Sequence, residues 1–561
     1  MNLMPDLIVA PIVLPLMTAA CMLLLGDKHR PLKARINLIS TLAGLCISLW
    51  LMAWVQIQGS ASSVGVYLPG NWPAPFGIVL VVDRLAALML VLTGILGSCA
   101  LIFASARWDR AGASFHALFQ IQLMGLYGAF LTGDLFNLFV FFEVLLAASY
   151  GLMLHGSGRA RVSAGLHYIA INLLASSLFL IGAALIYGVT GTLNLADLAV
   201  KIPQVAAEDR GLLHTGAAIL ATAFLAKAGM WPLNFWLVPA YSAASAPVAA
   251  LFAIMTKVGV YTILRLWTLL FSSEAGASAH FGGDWLIVGG LLTLTCAAIA
   301  VISAQRLERL ASQSILVSAG ILLASIGFGE AAVMAGALFY LVSSTLALSA
   351  LFLLSELIER SRSVNEVPLE EDADHLPRPL ESLNPPPGTN LDDEQQAVVG
   401  TVIPWTMAFL GLSFVACALL IIGMPPLAGF VAKLSLISAL LNPNGMAAAV
   451  TAPISSGAWG LVALLILSGL ASMIALVRVG IKRFWTPRDR PSPLLRRNEC
   501  VPIVLLLGLC VALTVKGQAL LSYTQATAAS LVEPSGYIDA VLATRPVPAP
   551  ATLAGPVEVT P

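Results

Sequence analysis

The sequence predicts an all-α polytopic membrane protein of about 14 transmembrane helices, and three observations lead there. Of the 561 residues, 58% are hydrophobic and only 10% are charged, against about a quarter charged in a soluble domain. Apolar stretches of about 18 residues or more recur along the whole chain, each long enough to cross a bilayer as a helix. Basic residues gather in alternate connections between those stretches, as they do in cytoplasmic loops.

The spans are expected at 5–25, 36–57, 78–104, 115–132, 135–154, 163–189, 212–238, 247–270, 285–303, 312–328, 331–357, 402–441, 458–478 and 501–517. The N-terminus has no basic stretch and no cleavage site, so Leu7–Leu25 reads as a retained first span. Two spans carry their own interruption. The seventh runs into "GMWPLNFWLVPAY", and the twelfth, too long for one straight helix, contains "GMPPLAGFVAKL" at 423–434. Helices 7 and 12 are therefore expected to be broken. Proline removes a donor and frees a carbonyl one turn back, and unwound backbone at membrane depth survives only where protein or a wet cavity satisfies it.

Loop charge then orients the chain. "DKHRPLKAR", "ARWDRAG", "GSGRARVS", "AQRLERLA" and "RVGIKRFWTPRDRPSPLLRR" follow the first, third, fifth, ninth and thirteenth spans. The even-numbered connections and the C-terminal tail hold only Lys201, Arg210, Lys516 and Arg545. Positive-inside logic puts the odd connections in the cytoplasm and both termini outside. The segment 358–400, rich in Pro and acidic residues, is expected to be a disordered cytoplasmic loop. The tail after Lys516 reads as an outer-face linker.

Composition also excludes. A net charge of zero speaks against a nucleic-acid partner. The seven cysteines are scattered without a CxxC pair, which removes the case for a disulfide framework or a zinc site. No flavin, quinone or iron–sulfur motif is present, so no cofactor is expected; the sequence leaves any metal site unknown.

The candidate functional residues are the charges that the spans should have avoided. Glu143 in "NLFVFFEVLLAASY", Lys227 in "ATAFLAKAGMWP", Lys257 in "FAIMTKVGVYTIL" and Lys433 in "GFVAKLSLI" are each flanked by apolar residues. A charge at the centre of a spanning helix costs roughly 2.5–3.5 kcal/mol on insertion scales. Arg84 and Arg265 lie nearer segment ends, where snorkelling to the headgroups accounts for them. Static glue between helices would need one ion pair, whereas this chain has one acid and three bases. Lysine also changes protonation with burial and with the approach of a carboxylate, which arginine cannot do. A row of titratable groups that hands on protons fits better. The breaks sharpen that reading: Gly229 and Pro232 follow Lys227, while Gly423, Pro425, Pro426 and Gly429 precede Lys433. Interrupted helices in two halves point to the ion path of repeat-built transporters.

"GMPPLAGFVAK" resembles the G-x-P-P-x-x-G-F-x-x-K signature of the antiporter-like subunits of respiratory complex I, membrane-bound hydrogenases and Mrp-type (Pha or Mnh) multi-subunit cation/proton antiporters. "VDRLAALML" at 82–90, "GDLFNLFVFFE" at 133–143 and "FLAKAGMWPLNFWLVPAYSAASAPVAALFAIMTKVGVY" at 224–261 are similar to the same family, over about residues 75–480. The resemblance implies two inverted five-helix repeats, at 113–270 (helices 4–8) and 284–480 (helices 9–13), preceded by helices 1–3 at 1–112 and followed by helix 14 and a tail at 481–561. It implies that Glu143 partners Lys227, that Lys257 relays protons toward the second half, and that Lys433 is the terminal group. One departure stands out. Where many relatives have His and Lys in the eleventh span, this chain reads "FYLVSSTLALSALF", with Ser343 and Leu348 at the polar positions. A proton step there would need water or the hydroxyls of Ser343, Ser344 and Thr345.

The opening of the chain and "YLPGNWPAPFGIVLVVDRL" look most like D-type subunits of the Mrp group. The implied function is the proton-translocating subunit of a Na+(K+)/H+ secondary antiporter in the bacterial inner membrane, not an enzyme, assembled with A, B, C, E, F and G subunits. The alternatives are a proton-pumping subunit of a complex I-type or hydrogenase-type redox complex, and a structural membrane scaffold.

Overall fold

The computed structural model describes residues 4–26, 29–57, 63–112, 114–363, 404–442, 454–485 and 494–547. Most of the acidic segment expected as a loop, and the final residues of the tail, lie outside them. The described residues form helices α1 (Met4–Leu24), α2 (Arg30–Ile57), α3 (Arg84–Ala104), α4 (Phe115–Leu131), α5 (Leu135–Met153), α6 (Arg159–Thr190), α7 (Leu195–Lys201), α8 (Arg210–Ala228), α9 (Leu237–Ala243) and α10 (Ala246–Leu270). There follow α11 (Gly283–Ser303), α12 (Leu307–Gly327), α13 (Ala331–Ser363), α14 (Trp405–Ile422), α15 (Ala428–Leu441), α16 (Ser456–Gly480), α17 (Arg497–Val515), α18 (Gly517–Val532) and α19 (Ser535–Ala543). Among the described residues, 13 helices are long and apolar enough to cross a membrane, and α4 and α15 are shorter apolar helices. This is the multi-pass membrane protein that the composition predicts.

Burial sorts the helices. Almost all of α10, α12 and α13 is enclosed by protein, whereas α2, α14 and α17 turn broad apolar faces outward. A helix that is apolar all round can serve either place, so the sequence does not tell axis from rim. The three enclosed helices form the axis of the molecule, and one of the candidate lysines, Lys257, sits on it.

Three expectations need correction. The third span begins at Arg84, not at 78, because Leu80–Val82 form a strand paired antiparallel with Gly65–Tyr67. Asp83 then caps α3, accepting from the backbone N–H of Ala86 at 2.9 Å, as an N-cap carboxylate does.

The second correction is Arg265, which does not snorkel. It is 6% exposed and forms a forked pair with Asp83, at 2.7 and 2.6 Å. Tyr261 and Tyr537 flank its guanidinium, with ring centroids at 5.6 and 5.3 Å.

The third is the tail, which is no linker as far as it is described. α18 and α19 bury Tyr523, Thr524, Thr527, Leu531 and Tyr537. The Tyr523 hydroxyl donates to the carbonyl of Arg84 at 2.8 Å, and Asn71 exchanges two hydrogen bonds with the backbone of Val547.

The opposite end of the bundle is tied by side chains from the odd connections. Trp108 donates to Glu356 at 2.7 Å, Arg360 bridges Glu356 and Glu499, and Arg483 pairs with Glu359 at 2.9 Å. Connections that share loop charge in the sequence thus share one face in the structure.

Candidate functional site: a buried row of lysines across the bundle

Both predicted breaks are real. α8 ends at Gly229, whose φ of 77° is left-handed and favours glycine, and the chain resumes helix at Leu237. The freed groups find protein partners. The Trp236 indole donates to the carbonyl of Ala226 at 3.2 Å, and the Trp231 N–H donates to the Thr293 hydroxyl at 2.9 Å. Pro232 stands between them, where no backbone donor is needed. α14 ends at Gly423, again left-handed at φ 80°, and Pro425 and Pro426 carry the chain into α15.

The second break gives Lys433 its surroundings. Lys433 is 7% exposed, and its Nζ donates to the carbonyls of Ile422 at 2.8 Å and Ile421 at 3.3 Å. These belong to the last turn of α14, where helix carbonyls lack intrahelical partners and the dipole favours a cation. Gly429 makes the approach possible, since a Cβ there would lie 2.0 Å from the carbonyl oxygen of Leu420. Gly429→Ala must push α14 off α15 and pull those acceptors from Lys433. We expect it to cut severely the cation/proton exchange that the resemblance implies, while the protein still reaches the membrane, as measured by vesicle exchange against immunoblot level.

Lys227 and Lys257 sit on helices in backbone contact. A Cβ on Gly259 of α10 would meet the backbone nitrogen of Ala228 at 2.6 Å, so α8 and α10 touch beside both lysines. Lys257 is 0% exposed and donates to the Ser318 hydroxyl of α12 at 2.7 Å. Lys227, 7% exposed, places its Nζ 4.9 Å from the centre of the Phe142 ring.

Glu143, next to Phe142, acts on Lys227 through its charge but makes no contact ion pair with it. Its Oε1 is buried without a hydrogen-bond partner, and the ion pairs among the described residues lie elsewhere. The Phe142 face lies against Lys227, with the Glu143 carboxylate close enough to act on it through space. A cation–π contact of this kind is worth about 0.5–2 kcal/mol, less than a contact ion pair in low dielectric.

Beside Lys227 lies a small cavity of about 20 Å³, lined by Tyr168, Asn172, Trp236 and Tyr241 among others, with room for about one water. Tyr241 also lines a wide cavity of about 960 Å³ that opens among the odd connections, with Arg161, Glu308 and Glu356 on its wall. Among the described residues, no three His, Cys, Asp or Glu side chains converge as a metal site would need.

The comparisons fit this arrangement. A family model described as "NADH:quinone oxidoreductase/Mrp antiporter, TM" matches residues 132–458. The chain is 52% identical over 537 residues to a protein of Rhizobium meliloti (strain 1021) named as a probable K(+)/H(+) antiporter subunit of the D type, covering 96% of this chain and 97% of that one. The chain belongs to the NADH:quinone oxidoreductase/Mrp antiporter family of membrane subunits.

Within that family it is also 32% identical over 546 residues to the D-type Na(+)/H(+) antiporter subunit of Alkalihalophilus pseudofirmus, covering 96% of this chain and 100% of that one. A chain in the solved Mrp complex from Dietzia sp. DQ12-45-1b superposes with a TM-score of 0.78 at 27% identity, over 97% of this chain and 100% of that one. These three similarities run nearly end to end, so they include α1–α3 and the C-terminal helices that the family model does not reach. Ser318 is the residue at this family member's site that the sequence reading missed. Its signal was faint: in "SQSILVSAG" Ser318 is one of several small polar residues, with Ser312, Gln313 and Ser314 just before it.

Proposed function

We propose that this chain is the proton-translocating D-type subunit of a multi-subunit Na+(K+)/H+ antiporter, and that Glu143, Lys227, Lys257 and Lys433 carry protons sideways through it. One observation supports this reading above the others: three lysines, each at most 7% exposed, stand on helices that cross the bundle in succession, two of them beside broken helices. Ammonium groups at this depth without a contact carboxylate are a burden on stability, and such residues are kept where they do chemistry.

Lys227 is placed to receive protons. Tyr241 separates it from the wide cavity at the face of the odd connections, which loop charge assigns to the cytoplasm. Lys257 takes the middle position and Lys433 the far one. The paired halves, with one broken helix each, fit two repeats at 113–270 and 284–480. The chain lies in the bacterial inner membrane with both termini outside, and it acts as a transporter component, with no enzymatic step. It works together with A, B, C, E, F and G subunits. Relatives named as D-type antiporter subunits match along 96% of the chain, which favours cation exchange over a redox-driven pump.

The test uses a host stripped of its main sodium exporters. Salt tolerance returns only when the complete complex is expressed. Glu143→Gln or Lys227→Ala abolishes both that tolerance and exchange in everted vesicles, with the complex still assembled. Full exchange in both variants would leave only the scaffold reading.

A further inference from the structure

Between Lys257 and the second half of the molecule, the eleventh span has Ser343 and Leu348 at the positions that the family resemblance marks as polar. The structure shows what stands there. Lys257 Nζ donates to Ser318 Oγ at 2.7 Å, and Ser318 Oγ lies 3.1 Å from Ser344 Oγ on α13. The Tyr340 hydroxyl, one turn from Ser344 on α13, is within hydrogen-bonding reach of Ser318. The other two hydroxyls of the sequence do not join this row. Thr345 is bonded back to the carbonyl of Leu341, and Ser343 makes no hydrogen bond among the described residues.

The row leads toward Lys433. α13 crosses α15 where a Cβ on Gly336 would stand 2.9 Å from the Cα of Leu436. Tyr340 is four residues from Gly336 and Lys433 three from Leu436, so both lie within about 6 Å of helix rise of that crossing.

We propose that Ser318 and Ser344 carry the proton from Lys257 into the second half, a hydroxyl relay in place of ionisable side chains. This rests on the proton-translocation reading of the lysines. In the step, the Lys257 ammonium gives a proton to Ser318 Oγ while Ser318 gives its hydroxyl proton to Ser344 Oγ. Ser344 gives its own proton to a water beside it. One N–H and two O–H bonds break, three O–H bonds form, and a single positive charge moves from Lys257 to the water. Concerted transfer leaves neither serine as an alkoxide or an oxonium. A hydroxyl is donor and acceptor at once and rotates freely, so each serine can turn back for the next proton. Ser344 is ready to turn, because its present acceptor, the carbonyl of Leu341, is 3.3 Å away.

The experiment compares Ser318→Ala, Ser344→Ala and Ser318→Thr with Lys257→Ala in the complete complex, by exchange in everted vesicles and by recovery of the assembled complex. Ser318→Ala and Ser344→Ala are each expected to lower exchange about 10²-fold, the low end for a positioned proton carrier, with assembly unchanged. Ser318→Thr keeps the hydroxyl and is expected to restore exchange to within about twofold of the parent. Wild-type exchange in either alanine variant beside an inactive Lys257→Ala overturns the hydroxyl relay and leaves the lysine row intact. A dead Ser318→Thr would also overturn it, since something other than the hydroxyl would then matter. Wild-type exchange in Lys257→Ala itself would remove the reading on which the relay rests.

Discussion

Lys257→Met abolishes cation/proton exchange, by about 10²-fold or more, and leaves the complex at least as stable as the parent. Two facts on the same side chain drive these effects in opposite directions. Lys257 is fully enclosed on the axis helix α10, and its only hydrogen bond among the described residues goes to Ser318. An ammonium in such a place is under-compensated, because an apolar setting offers little to replace its hydration. Methionine fills nearly the same volume without that cost, and Ser318 keeps Ser344 as a partner.

On the proposed relay, stability is given up locally for function, the usual trade at active positions. Lys257→Arg sharpens the test: arginine retains the charge and a donor but does not release its proton, so it too is expected to be inactive. Proton flux in vesicles and thermal unfolding of the solubilised complex read the two effects separately. Normal flux in Lys257→Arg would mean that permanent charge, not titration, is what the position supplies. Loss of stability in Lys257→Met would mean that the lysine holds the axis together.

What the sequence makes legible is whatever depends on neighbours along the chain. The spans, the two breaks and the isolated charges all follow from local composition, and the structure has helices at every expected span. The lysines could be found because a charge in an apolar run is anomalous wherever the run ends up. Partners are a different matter. Asp83 and Arg265 are 182 residues apart, and Lys257 and Ser318 are 61 apart; nothing in either segment names the other.

Asp83 looks locally like a helix cap, which it is, and that hides its second role. Ser318 looks like any small residue of a packed membrane helix, where serines commonly bond back to their own helix. The tail reads as linker from its Pro-rich ending "RPVPAPATLAGPVEVTP", while α18 mixes Gln, Ser and Thr with its apolar residues. Only the presence of α13 beside it shows which face is buried. Glu143 shows the same limit from the other side: the resemblance supplies a partner, while the rotamers of Phe142 and Lys227 decide whether that partner is in contact.

Asp83→Ala is expected to destabilise the protein more than any substitution in the lysine row. It leaves the Arg265 guanidinium buried without its carboxylate, and removing one member of a buried pair costs about 3–5 kcal/mol. Arginine has no neutral form to retreat to, so the charge persists. The two tyrosines beside it, Tyr261 and Tyr537, offer ring faces but no counter-charge. Because Tyr537 lies on α19, the loss should spread into the C-terminal helices that pack over this end of the bundle.

Two further variants apportion the effect. Asp83→Asn keeps a side-chain acceptor for the Ala86 N–H, and so retains the cap, worth about 1 kcal/mol, while still removing the charge. It should fall between Asp83→Ala and the parent, nearer the former. Asp83→Asn combined with Arg265→Gln removes both charges and should recover most of the stability, since a pair of neutral amides can bond across the same gap. Unfolding temperature and monodispersity of the solubilised complex measure the series. If the double variant unfolds as early as Asp83→Ala, the orphaned guanidinium is not the cause, and the fork geometry at 2.6–2.7 Å would matter for its shape alone.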